Sequence, residues 1–176
     1  MIFEELALMG AYLIKPEPHF DERGYFVRSF CKQEFQAHGL VDEYVQCNIS
    51  FNKKKGTLRG MHYQSRPNQE TKLVRCCRGA IYDVIVDIRQ QSSTYKQWLG
   101  FELTQDNGLF LYIPEGFAHG FLTLQNDSEV FYQMSTVYVA EAAFGFRWND
   151  PLFKIKLPRL PEIISEKDMQ YTDFLC

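Results

Sequence analysis

Apolar residues in this chain come in short bursts rich in Val, Ile, Phe, Tyr and Thr, each ended by Gly, Asn, Asp or Pro. Bursts of that length and composition read as β-strands rather than helices. They predict strands near 12–15, 25–30, 44–51, 57–62, 71–78, 80–88, 98–103, 109–113, 119–124 and 129–138. So many short strands at close spacing point to a sandwich or a small barrel, and the chain reads as mainly β. One helix is predicted over 32–38, with Ser29 as its cap and Gly39 as its terminator. A second helical turn is expected over 163–171.

Two strands carry polar groups that an ordinary core would reject. In AIYDVIVDI, alternation puts Asp83 and Asp87 on the face of Ile81 and Ile85. If that face is the interior, each carboxylate needs a partner, because an isolated buried charge is very costly. In GTLRGMHYQ, alternation groups Leu58, Gly60 and His62 on one face and Arg59, Met61 and Tyr63 on the other. A surplus of inward polar groups favours a barrel that lines a ligand cavity over one filled by side chains.

Composition narrows the picture. A chain of 176 residues, 45% apolar and 15% aromatic, is long enough for one substantial core and short for two, so one domain over 1–176 is expected. The formal charge of −3, with 19 basic residues and no long basic run, gives no case for nucleic acid or anionic membrane. No apolar run approaches the roughly 20 residues of a membrane span, and MIFEELALMG carries acids where a signal peptide carries bases. A soluble cytoplasmic protein is the expectation. The five cysteines, Cys31, Cys47, Cys76, Cys77 and Cys176, include no CxxC and are read as reduced thiols.

The candidate chemistry sits in LRGMHYQ around His62 and IPEGFAHGF around His119. The Pro-x-Gly-x-x-His of the second resembles a cupin motif. In metal-binding cupins the first motif offers two histidines one residue apart; here Gln64 replaces the second, leaving His62, Glu70 and His119 at best. A neutral amide is a poor transition-metal ligand, so no metal is expected, and a metal-dependent cupin oxygenase or isomerase is the alternative. Without a metal, an inward histidine serves best as a general base. Arg59, Lys72, Asp83 and Tyr132 all fall on strands predicted to line or rim the same barrel.

Read in order, DERGYF, QCNIS, GTLRGMHYQ, KLVRCCRGAIYDVIVDIR, WLGFELT, IPEGFAHGFL, EVFYQMS, FRWNDP and SEKD resemble the dTDP-4-dehydrorhamnose 3,5-epimerase family from about residue 12 to 168. The resemblance implies a cupin-type jelly-roll barrel with a few short peripheral helices. It also implies no cofactor, a homodimer, and action on a nucleoside-diphosphate 4-keto-6-deoxy sugar. It assigns His62 as the base at carbon 3 or 5, Tyr132 as the acid on the opposite face, and Lys72 as the cation near the ketone oxygen. Asp168 would orient the histidine, and Asp83 would support the same polar network. Arg59 and Arg23 would meet the diphosphate through bidentate forks, with Gln46, Asn48 and His119 as neutral donors. Phe20, Phe26 and Tyr138 would pack against base or sugar.

The chain departs from the family in two places. Arg28 stands where many members carry a glutamate that helps hold thymine, and an arginine cannot accept the imide hydrogen. The segment YVAEAA replaces Tyr-x-Pro-Glu-x-Glu. A single-carbon epimerase on another nucleotide sugar therefore stays open beside the 3,5-epimerase, as does a module that only binds such a nucleotide.

Overall fold

The computed structural model describes residues 1–175; Cys176 lies outside the described residues. Two open, six-stranded sheets face each other. In the first, strands β1 (Ile2–Glu5), β2 (Tyr12–Lys15), β10 (Phe110–Ile113), β7 (Lys72–Arg78), β12 (Ser128–Met134) and β5 (Gln46–Asn52) lie side by side in that order, all antiparallel. In the second, the order is β13 (Ala143–Gly145), β6 (Thr57–Gln64), β11 (Phe117–Thr123), β8 (Ala80–Asp87) and β9 (Trp98–Thr104), with β14 (Ile163–Ile164) added parallel to β6. A separate hairpin pairs β3 (His19–Asp21) with β4 (Gly24–Phe26). The helices are short: α1 (Lys32–Ala37), α2 (Glu166–Met169) and a 3-10 turn at Ala140–Ala142. This is the expected cupin-like jelly roll with small peripheral helices.

The core forms between the sheets. Leu13, Val74, Leu111, Ile113 and Val130 of the first interdigitate with Ile81, Ile85, Leu103, Phe117 and Phe121 of the second. Phe35 of α1 covers the back of the first sheet, packing with Ile14, Leu73, Phe110 and Tyr112. Phe146, Phe153 and Ile155 cover the back of the second, against Met61, Val84, Val86 and Ala118. The period-2 reading of AIYDVIVDI therefore holds: Ile81 and Ile85 face the core, Val84 and Val86 the rear, and Asp83 and Asp87 are fully buried. Asp87 is satisfied by Arg89, Ser92 and Thr94 at 2.5–2.7 Å.

The reading of GTLRGMHYQ fails at its centre. His119 pairs with His62 and Phe121 with Arg59, so Gly60 and Met61 together oppose the single Gly120. This bulge inverts the alternation and puts Arg59 and His62 on the same face. Gly60 has a φ of +122°, and a Cβ on it would stand 2.5 Å from the Gly120 Cα. Other expectations shift at element ends. The strand expected at 25–30 shrinks to a short exposed hairpin strand, 44–51 starts at Gln46, and 129–138 ends at Met134. The helical turn expected over 163–171 is a short strand followed by α2. Ser29 caps nothing: the residue before α1 is Cys31, without a side-chain cap bond, whereas Gly39 does adopt the left-handed conformation (φ +67°).

Gly60→Ala should destabilise the fold by about 1–3 kcal/mol from its backbone conformation alone, with the overlap against Gly120 added. Denaturant midpoints of parent and variant measure this; equal midpoints would mean the close approach is not needed.

Candidate active site

A cavity of about 780 Å³ opens at one end of the sheet pair. The second sheet lines it with Arg59 and His62 of β6 and His119 of β11. The first sheet supplies Lys72 of β7, Tyr132 of β12 and, just before β7, Glu70. The C-terminal segment closes one wall with Ile164, Ser165, Asp168 and Tyr171. His62 and Tyr132 thus approach the cavity from opposite sheets.

Three buried carboxylates each hold a cation or imidazole at the wall. Asp168 meets His62 Nε2 at 2.7 Å with Oδ1 and accepts the Gly60 N–H at 3.2 Å with Oδ2. A carboxylate only accepts, so Nε2 carries the hydrogen, and in the neutral ring Nδ1 is left with the lone pair. Asp83, fully buried behind His119, takes that ring's Nε2 with both oxygens at 2.9 Å. Glu70 Oε1 lies 2.7 Å from Lys72 Nζ, with both side chains nearly buried. The three pairs are separate. Among the described residues, no group of three or more His, Cys, Asp or Glu side chains is placed to hold a metal ion. Gln64 fills the second cupin position by clamping a neighbouring loop: its amide donates to the carbonyls of Asn68 and Val137 and accepts the Val139 N–H.

Two groups have shifted acidity. Burial raises the Tyr132 phenol; the Arg59 charge opposes this, while Glu70 and Tyr138 add to it, and the net direction is upward. The phenol is therefore protonated at neutral pH and can donate. Burial also raises Asp168, but the hydrogen bond and charge of His62, with the Gly60 and Ser165 contacts, outweigh it and lower the carboxyl overall.

Other residues singled out in the sequence are more dispersed. Arg59 donates Nε to Asn52 Oδ1 at 2.7 Å, which leaves its terminal nitrogens for an anion. Tyr138 stands half-exposed at the rim. Gln46 and Asn48 bond to each other on β5 beside Tyr132, outside the set that lines the cavity. Phe20, Arg23 and Phe26 are not brought to the cavity of this chain: they sit on the β3–β4 hairpin, with both phenylalanines about three-quarters exposed and Arg23 paired to Asp21. Arg28 is likewise away from it, bonded to Glu34 of α1 at 2.7 Å. Sequence reasoning missed Tyr171, whose ring stands edge-on to His62 at 5.8 Å, and weighed Glu70 only as a metal ligand. The place of Tyr171 three residues after Asp168, one turn along, was the available signal.

This geometry is a jelly-roll fold that presents an imidazole and a buried phenol from opposite sheets to one polar cavity, an arrangement suited to acid/base chemistry. The family model for dTDP-4-dehydrorhamnose 3,5-epimerase matches residues 5–175. A curated enzyme of that name from Sinorhizobium fredii is 42% identical over 96% of this chain and 87% of its own. The crystal structure of the Bacillus anthracis dTDP-4-dehydrorhamnose 3,5-epimerase, with TDP and PPi bound, superposes with a TM-score of 0.95 at 39% identity, covering 98% and 99% of the two chains. The Legionella pneumophila dTDP-6-deoxy-D-glucose-3,5-epimerase, in complex with dTDP-4-keto-L-rhamnose, does so at 0.91 and 36% identity, over 98% and 92%. The chain belongs to the dTDP-4-dehydrorhamnose 3,5-epimerase family, and the epimerases are isomerases.

A lowered folded-state carboxyl adds stability that is present above its unfolded value of about 3.9 and fades as pH falls through the folded value. Asp168→Asn should therefore be less stable than the parent at pH 6, with the gap closing below about pH 4. Urea titrations across pH 3–7 report it; a gap that widens with acid would contradict the assignment.

Proposed function

We propose that this protein, acting as a single domain without a cofactor, inverts carbons 3 and 5 of a nucleoside-diphosphate 4-keto-6-deoxyhexose, dTDP-4-dehydro-6-deoxyglucose being the first candidate. The observation that carries this is His62, its Nε2 held by Asp168, facing the buried Tyr132 phenol across the cavity. Nδ1 of His62 removes the proton next to the ketone. The charge that moves onto the ketone oxygen is met by the Lys72 ammonium, the kind of fixed electrostatic support that contributes most to enolate formation. Tyr132 then delivers its proton to the opposite face of the carbon and is recharged from solvent. Arg59 binds the diphosphate, His119 meets the substrate with its ring held through Nε2 by Asp83, and Tyr138 packs at the rim.

The exposed hairpin supports a homodimer. Phe20, Tyr25 and Phe26 leave large apolar area in water, as do Ile49 and Phe51 on the edge strand β5. In our reading a second copy covers this surface, so that Phe20, Arg23 and Phe26 of one copy reach the nucleotide in the other, with Gln46 and Asn48 nearby. No helix among the described residues is long and apolar enough to cross a membrane, and we place the enzyme in the cytoplasm, in carbohydrate biosynthesis.

Proton NMR in heavy water with a panel of 4-keto-6-deoxy sugar nucleotides tests the reaction, the base and the carbons together. Deuterium should enter at carbons 3 and 5. Entry at one carbon only would make the protein a single-carbon epimerase, and entry at neither with any nucleotide would sink the proposal. His62→Ala should slow exchange at both carbons by about a hundred- to ten-thousandfold, and Tyr132→Phe should be gentler at carbon 3 than at carbon 5. Light scattering should give twice the chain mass, and Arg23→Ala should raise KM with little change in kcat; a monomer that is fully active would remove the shared site.

A further inference from the structure

The two imidazoles of the cavity are held differently. Asp83 takes Nε2 of His119 with both oxygens, and that side chain is nearly buried. Asp168 takes Nε2 of His62 with one oxygen, and that side chain is 41% exposed. One hydrogen bond fixes one atom of a ring, and the ring can still rock about it and carry Nδ1 off its line. A base that must reach a carbon-bound proton tolerates little such motion. A second contact on His62 is therefore needed.

Tyr171 supplies one. It lines the cavity, and its ring stands 5.8 Å from the imidazole at 64°, within the range of edge-to-face aromatic pairs. The seat for that ring is Gly145. Gly145 of β13 pairs with His62 of β6, and residues directly opposed on antiparallel strands project to one side. A Cβ on Gly145 would lie 2.6 Å from two carbons of the Tyr171 ring, so the tyrosine occupies the room that a cross-strand neighbour of His62 would take. An aromatic ring laid over an edge-strand glycine completes such a pair. The adjoining backbone keeps it there: the Thr172 carbonyl accepts the Arg147 N–H at 3.1 Å, and Asp173 pairs with the Arg147 side chain.

We propose that Tyr171 is a positioning residue for the base: its ring, seated on Gly145, confines the imidazole on a side that Asp168 does not hold and keeps Nδ1 aimed into the cavity. This rests on the epimerase reading, in which Nδ1 of His62 takes the proton. The contact is made by the ring, so the hydroxyl is dispensable. One base serves both carbons in that reading. Loss of the ring therefore slows exchange at carbons 3 and 5 together and leaves substrate affinity in place.

The test compares deuterium exchange and imidazole proton NMR in the parent, Tyr171→Ala and Tyr171→Phe. Tyr171→Ala should lower kcat about ten- to a hundredfold at both carbons, with KM little changed, and should move the His62 imidazole resonances as the neighbouring ring current is lost. Tyr171→Phe should restore most of both. A raised KM at unchanged kcat would make Tyr171 a substrate contact, phenylalanine as slow as alanine would assign the effect to the hydroxyl, and unchanged kcat and KM would mean no role; each overturns the proposal. If the alanine variant does not fold, the parent decides: cross-relaxation between the Tyr171 ring protons and the His62 imidazole protons should persist when dTDP is bound, and its loss overturns the proposal. A parent that exchanges neither carbon fails the epimerase reading and the proposal with it, whereas an active parent with an indifferent Tyr171→Ala fails the proposal alone.

Discussion

The site depends on one close approach. At Gly60 and Gly120 the backbones of β6 and β11 come so near that neither residue can carry a side chain: a Cβ on Gly120 would lie 2.7 Å from the Arg59 carbonyl oxygen. Two residues of β6 are compressed against one of β11, and three features follow. Arg59 and His62 turn to the same side, His62 stands opposite His119, and the Gly60 N–H is free of the ladder to bind Asp168. An ordinary strand would have placed the proposed phosphate-binding arginine on the rear face with Met61. The bulge thus gathers on one short strand two groups that regular pleating would separate.

Around that bulge the cavity keeps its polarity through pairing. Three carboxylates, two imidazoles and an ammonium lie in or beside a pocket whose far side is the apolar core, and each is held by an oppositely charged or donating partner. Removing one member would leave the other as an uncompensated buried group, which is the larger penalty. Such a wall cannot collapse into an ordinary core, so the space between the sheets stays open at this end while it is filled by Ile81, Ile85, Val74 and Val130 at the other. The same low-dielectric surroundings keep the Tyr132 phenol protonated and strengthen the field of Lys72.

Much of this was legible in the sequence, because strand alternation is a local signal. The strands β5 to β12 were located within a few residues, and Asp83 was put on the face of Ile81 and Ile85, which the structure turns inward. The family resemblance supplied Lys72, Tyr132 and Asp168 before any geometry. What could not be read was set by tertiary contact. The inversion at Gly60 arises from β11, some sixty residues away in the chain. Strands β1, β3, β13 and β14 are too short to show a period and exist because an edge was available to pair with. Glu70 offered no pattern, since a lone acid before a lysine is ordinary on a surface; its meaning lies in burial beside Lys72.

Asp168 itself shows how a remote segment completes a site. Its segment is fixed on both sides. Before it, β14 adds to β6, and Glu162 and Ile163 donate to the Gly56 carbonyl. After it, Phe174 packs against the stacked pair Phe146 and Phe153, with its N–H donated to the buried Asp150 at 2.7 Å. Between these anchors Ser165 caps the short helix by accepting the Asp168 N–H, which turns the carboxylate toward His62. A single turn of helix has little stability of its own, so the direction of the carboxylate is set by the anchors rather than by the helix. Positioning of the proposed base tolerates little slack. The aromatic cluster behind the second sheet, far from any reacting atom, is therefore part of what holds Nδ1 of His62 toward the cavity.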